Sequence, residues 1–153
     1  MIDTPRITNS IEKPAAVIRL TIPRHQIQHV MGPAIGEVMA AVAGQGIAPA
    51  GPVFSHHFTM QPETFDFEVG IAVQKPITPT GRVKAGQFPG ARVVRTIYRG
   101  PYEGLGAAWG EFCGWIKANG HATRPDLWEC YLAGPESGPD SSKWQTELNC
   151  PLV

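Results

Sequence analysis

Hydrophobic and polar positions along this chain switch between two periods, and the switch happens twice. Residues 15–22 are rich in aliphatic and β-branched side chains with partial alternation, which predicts a strand closed by Pro23. From Pro33 the apolar residues Ile35, Val38, Met39 and Val42 fall at helical spacing. Pro33 suits a first-turn position there, and Gly44 or Gly46 suits the stop. Residues 53–58 and 67–73 then predict the two strands of a hairpin, joined by the turn-rich Gln61-Pro62-Glu63-Thr64.

The same order returns in the second half. Residues 76–89 are rich in proline and glycine with little apolar pattern, and they read as a loop bridging two halves. Residues 93–98 alternate as a strand. Pro101 opens a second helix in which Leu105, Trp109, Phe112 and Ile116 form one stripe, widened by Ala108 and Trp115. Asn119-Gly120 caps it, and residues 127–132 and 145–150 follow as paired strands up to Pro151. Gly32-Pro33 and Gly46 thus recur as Gly100-Pro101 and Gly120, the second interval being longer by a turn or two. The expected fold is α+β: one domain over 1–153 made of a tandem βαββ repeat, with halves at about 15–76 and 93–153. Two such halves pack about a pseudo-twofold axis, with an antiparallel-rich sheet, both helices on one face and a groove at the junction.

Composition narrows the function classes. The chain has 153 residues, enough for one domain with a real core. Its formal net charge is zero and it carries no Lys/Arg block, which disfavours direct binding of nucleic acid. No apolar run approaches the roughly 20 residues needed to span a bilayer, so no membrane association is expected. The first residues lack the plan of a signal peptide, which makes the cytoplasm the expected location. Cys113, Cys130 and Cys150 form neither a CxxC pair nor a disulfide framework and read as free thiols.

Candidate chemistry concentrates on the run Leu-Trp-Glu-Cys-Tyr-Leu at 127–132. Alternation in a strand places Glu129 and Tyr131 on one face and Trp128 and Cys130 on the other. Burying an unpaired carboxylate in so apolar a run costs on the order of several kcal/mol or makes it hold its proton. Such a residue is either in use or, on an edge strand, simply facing water. If it lines the groove, Trp109 and Phe112 are natural walls, though both also fit the core face of an amphipathic helix. A desolvated carboxylate among aromatic faces suits a flat apolar cation. Aligning Gly46 with Gly120 sets Ser55 opposite Glu129 and His57 opposite Tyr131, so His57 is a further groove candidate. No metal site is expected: His25 and His29 are four apart, but no third ligand lies nearby in sequence. No GxSxG elbow or phosphate-cradling loop is present, and the glycines at 104, 106 and 110 read as packing sites.

Tyr98-Arg99-Gly100-Pro101-Tyr102, followed by Leu105, Trp115-Ile116 and Gly120, resembles the second-half signature of the GyrI-like small-molecule-binding domain. Glu129-Cys130-Tyr131 is similar to that family's Glu-x-Tyr strand, Thr146-Glu147-Leu148 with Pro151 to its closing strand, and Phe67 through Val73 to its first-half strand. The resemblance covers nearly the whole chain and implies a tandem βαββ fold with a central groove. It also implies a role like that of the effector-binding domains of AraC-type and MerR-type regulators, which bind lipophilic, often cationic, compounds in multidrug recognition. The groove glutamate of the family then falls on Glu129 and its tyrosine on Tyr131, with Trp109, Phe112 and Tyr102 as aromatic contacts. Met1 to Pro14 is too short for a helix-turn-helix, so the expectation is a domain that does not itself bind DNA.

Three functions compete. The first is a stand-alone module that captures a small hydrophobic or cationic ligand, without a cofactor. The second is a hydrolase of cyclopropane-bearing genotoxins, a role the resemblance attaches to some members, with Glu129 and Tyr131 as the catalytic pair. The third is an inhibitor or shield of a partner protein such as DNA gyrase. A homodimer is left open, with Trp128 and Cys130 under its contact.

Overall fold

The computed structural model describes residues 2–60 and 63–153. The fold is α+β, and the chain divides into two compact units, residues 11–90 and residues 1–10 with 91–153.

In the unit formed by 11–90, β2 (Lys13–Pro23) leads into α1 (Ile27–Gly44), followed by β3 (Pro49–Met60) and β4 (Thr64–Val73). β2 pairs antiparallel with β4, β4 with β3, and β2 also with β5 (Lys84–Phe88), giving the order β3-β4-β2-β5. One face of β2 and β4 supplies Ala16, Ile18, Phe67, Val69 and Ile71, which close a core with Ala34, Val38 and Val42 of α1. Gly46, at φ 65, ends the helical segment in the left-handed conformation that glycine adopts without a Cβ penalty.

In the second unit β6 (Ala91–Arg99) precedes α2 (Leu105–Ala118), then β7 (Leu127–Ala133) and β8 (Gln145–Pro151). β6 pairs antiparallel with β8 and β8 with β7. β1 (Arg6–Ser10) adds on the other side of β6, with Arg6 opposite Arg95, so the order is β1-β6-β8-β7. Val94 and Tyr98 of β6, Leu148 and Cys150 of β8, and Ala108, Phe112 and Ile116 of α2 form its core. Each unit therefore contains a βαββ run, as the sequence pattern predicts.

Three local expectations are corrected. The first helix begins at Ile27 after a short 3-10 turn, not at Pro33, which lies inside it. Pro33 costs the helix one backbone donor, but Ile27 and Met31 extend the apolar stripe and pack on the core. Residues 84–88 form a strand where a loop is expected, because β5 is held by backbone pairing to β2 and its sequence Lys-Ala-Gly-Gln-Phe, with a single large apolar residue at its end, shows no apolar alternation. β1 is likewise invisible in the pattern Arg-Ile-Thr-Asn-Ser. The expected turn at 61–64 falls partly on Gln61 and Pro62, which lie outside the described residues.

Candidate functional site

The candidate site lies on one face of β7. Glu129 stands opposite Leu148 and Tyr131 opposite Thr146, and directly opposed residues of an antiparallel pair share a face. Leu148 belongs to the core under α2, so Glu129 and Tyr131 point to the helix side of the sheet. Glu129 is only 8% exposed. Its Oε2 accepts a 2.8 Å hydrogen bond from Trp109 Nε1, and its Oε1 accepts one of 3.0 Å from Tyr131 Oη. Both donors are neutral. They hold both carboxylate oxygens in fixed positions.

Aromatic rings continue outward from this pair. Tyr102 presents its edge to Tyr131 with ring centroids 6.1 Å apart, and the Trp144 ring lies 5.1 Å from Tyr102. Tyr102 is placed by its own motif: the buried Tyr98 donates from Oη to the Pro101 carbonyl at 2.8 Å, fixing the turn that leads into α2. Gly100, at φ 144, keeps that turn open, since a Cβ there would come within 2.8 Å of Tyr98 Oη. Trp144 is held by an Nε1 hydrogen bond to the Gly138 carbonyl, 3.2 Å long. Thr146, buried in the row between Tyr131 and Tyr98, has no hydrogen-bond partner for its Oγ1.

A family model for the GyrI-like small molecule binding domain matches residues 3–153. The chain belongs to this family. Among curated proteins none matches by sequence. Among solved structures, the GyrI-like chain is similar to EcmrR in its DNA complex, with a TM-score of 0.84 at 24% identity; the match covers 97% of this chain and 57% of that one. It is similar to the isolated EcmrR C-terminal domain at a TM-score of 0.85 and 21% identity, covering 98% and 97%. SAV2435 bound to tetraphenylphosphonium aligns at a TM-score of 0.67 and 12% identity over 99% and 94% of the two chains. A hydrolase from Listeria innocua aligns at 0.61 and 15% identity over 97% and 91%. At these identities the likeness is one of fold. The chain spans 57% of the length of EcmrR as it stands in the DNA complex.

The remaining candidates of this GyrI-like domain fall in different surroundings. Phe112 is fully buried between Ala108, Ile116 and Leu148, and reaches the site only through the Trp109 ring, 5.7 Å away. His57 belongs to the unit formed by 11–90. It is buried, stacked on Phe67 at 4.8 Å, and its Nε2 lies 3.3 Å from Ser55 Oγ, while Nδ1 has no hydrogen-bond partner. Burial, then the charges of His56 and Arg24, lower its pKa to about 4, so the ring is neutral near pH 7. Trp128 and Cys130, on the other face of β7, are already buried within a single chain, and burial pushes the Cys130 thiol well up. Among the described residues no group of three or more His, Cys, Asp or Glu is placed to hold a metal, and no helix is long and apolar enough to cross a membrane. Trp144 was not legible as a site residue. Its only signal was an aromatic side chain in a loop rich in Gly, Pro and Ser, just before the closing strand.

Proposed function

We propose that this GyrI-like domain captures lipophilic aromatic or cationic compounds, with Glu129 as the buried counter-charge. The observation that carries the reading is the pair of neutral hydrogen bonds from Trp109 and Tyr131 to a carboxylate that is 8% exposed. An anion held this way is preorganised before any ligand arrives, so little reorganisation opposes binding. Tyr102, 37% exposed, and Trp144 supply ring faces next to it, and ring faces attract organic cations. SAV2435, which shares the fold, was solved with tetraphenylphosphonium bound, and that cation is the natural probe. Calorimetric titration of the wild type with tetraphenylphosphonium should give saturable binding, weakened at least about tenfold by Glu129→Gln, the cost of one lost charge interaction of about 1.4 kcal/mol. Unchanged affinity in a folded Glu129→Gln protein removes Glu129 from the site.

A second reading is favoured by the 3.0 Å hydrogen bond between Tyr131 Oη and Glu129 Oε1. A carboxylate and a phenol on one strand face form a base and an acid within reach of each other. Glu129 could take a proton from water while the hydroxyl adds to a strained cyclopropyl carbon, and Tyr131 could protonate the departing ring carbon or its conjugated carbonyl. The fold is also that of the Listeria innocua hydrolase. Ring-opened product followed by mass spectrometry tests this reading, which needs both residues.

A further inference from the structure

The second unit sets a row of side chains in register across its strands. Arg6 of β1 stands opposite Arg95 of β6, and Arg95 opposite Asn149 of β8. Directly opposed residues share a face. The adjacent Val94 and Leu148 enter the core beneath α2, so the row lies on the other side of the sheet. Asn149 is fully buried and holds Arg95 in place: its Oδ1 accepts a 2.7 Å hydrogen bond from Arg95 Nε, and its Nδ2 donates to Glu147 Oε1 at 3.1 Å. The same carboxylate oxygen lies 3.3 Å from Arg95 Nε.

Only the Nε edge of this guanidinium is therefore engaged. Among the described residues neither Nη group of Arg95 has a hydrogen-bond partner, and the exposed Arg6 side chain enters no hydrogen bond or ion pair. Two cations opposed across an antiparallel pair repel each other. Glu147 offsets one of them. Arg99, further along the same face, is paired with Asp3 at 3.1 Å, so one positive charge is left over at Arg6 and Arg95.

We propose that Arg6 and Arg95 form a binding site for a small-molecule carboxylate, which bridges the two guanidinium groups on the face opposite Glu129. The end of an arginine fork presents two N–H donors matched to the two oxygens of a carboxylate. Asn149 and Glu147 fix that fork before a ligand arrives, so little side-chain freedom is lost at Arg95 on binding. The charge balance selects among oxyanions. One negative charge neutralises the excess, whereas a phosphate group, at about −1.5 to −2 near pH 7, leaves surplus negative charge beside Glu147. The half-buried Ile97, two residues from Arg95 on the same face, gives the site an apolar margin that suits an acid such as benzoate.

The test is NMR titration of the isotope-labelled full chain with sodium benzoate at constant ionic strength, reading the Arg95 Nε–H and the Arg6 backbone amide. Both signals should shift and saturate, with a Kd on the order of 1 mM. Arg6→Gln, changed at an exposed position, should keep the fold and weaken benzoate at least about fivefold, the effect of one exposed charge contact. Inorganic phosphate should bind more weakly than benzoate. Glu129→Gln should bind benzoate as the wild type does, so the result does not depend on the cation site. Shifts that never saturate, equal affinity in Arg6→Gln, or phosphate binding more tightly than benzoate overturns the proposal. So does a benzoate response at the Trp109 indole N–H in place of Arg95.

Discussion

Trp109 and Glu129 are joined by a 2.8 Å hydrogen bond from the indole Nε1 to Oε2, linking α2 to β7 across the helix–sheet interface. Trp109 is therefore more than a member of the apolar stripe: its polar edge serves the carboxylate while its ring leans on Phe112. Trp109→Phe keeps most of the packing and removes the donor. The expected cost is about 1–2 kcal/mol of stability, read from urea denaturation, because a buried carboxylate oxygen loses a partner. A cost near zero in that experiment would mean that Oε2 is satisfied without the indole.

Tyr131→Phe separates capture from catalysis. The phenyl ring still lies beside Tyr102, so affinity for tetraphenylphosphonium should stay within about threefold, the effect of one neutral hydrogen bond. If the domain is a hydrolase, the same change removes the proton donor and should slow ring opening by about a hundredfold or more. Parallel titration and product assays on this one variant distinguish the two readings.

Core and site aromatics should respond to truncation in opposite ways. Phe112 is fully buried, and Phe112→Ala should cost about 3–5 kcal/mol, seen as a large drop in the denaturation midpoint. Tyr102 is 37% exposed, and Tyr102→Ala should leave the midpoint nearly unchanged while weakening binding of an aromatic cation by about fivefold, the worth of an exposed cation–π contact. If Tyr102→Ala binds as the wild type does, the ring lies outside the ligand's reach.

The second unit was the more legible because its signals agree across levels. The stripe at Leu105, Trp109, Phe112 and Ile116 has a single face, and a positive-φ glycine at 120 ends the segment where the pattern stops. Glu129 stood out because a charge inside an apolar strand conflicts with local preference. α1 was harder to read: Pro33 looks like a start signal, and only the packing of Ile27 and Met31 shows that the helix runs through it. β1 and β5 carry their pairing in the backbone, which side-chain periodicity does not report. The choice between core and site for Trp109 and Phe112 could not be made from spacing, since both lie on the same stripe. It depends on which side chain reaches the edge of β7 with a polar atom.

His57 gives the fold a defined acid sensitivity. Its folded pKa is lowered from 6.5 to about 4, chiefly by burial, so the folded state disfavours the charged ring. Between those values the unfolded chain binds the proton and the folded chain does not, and stability falls as pH drops through this window. At pH 4 the loss from this group is about 3 kcal/mol relative to pH 7. The nearby Glu68 acts in the opposite direction, because burial raises its pKa and its contribution is lost as pH rises. Comparing wild type with His57→Phe at each pH therefore isolates the histidine. The variant retains a ring to stack on Phe67, and its stability should decline less between pH 6.5 and 4. Identical pH profiles for the two proteins would show that His57 is already protonated, or already solvated, in the folded chain.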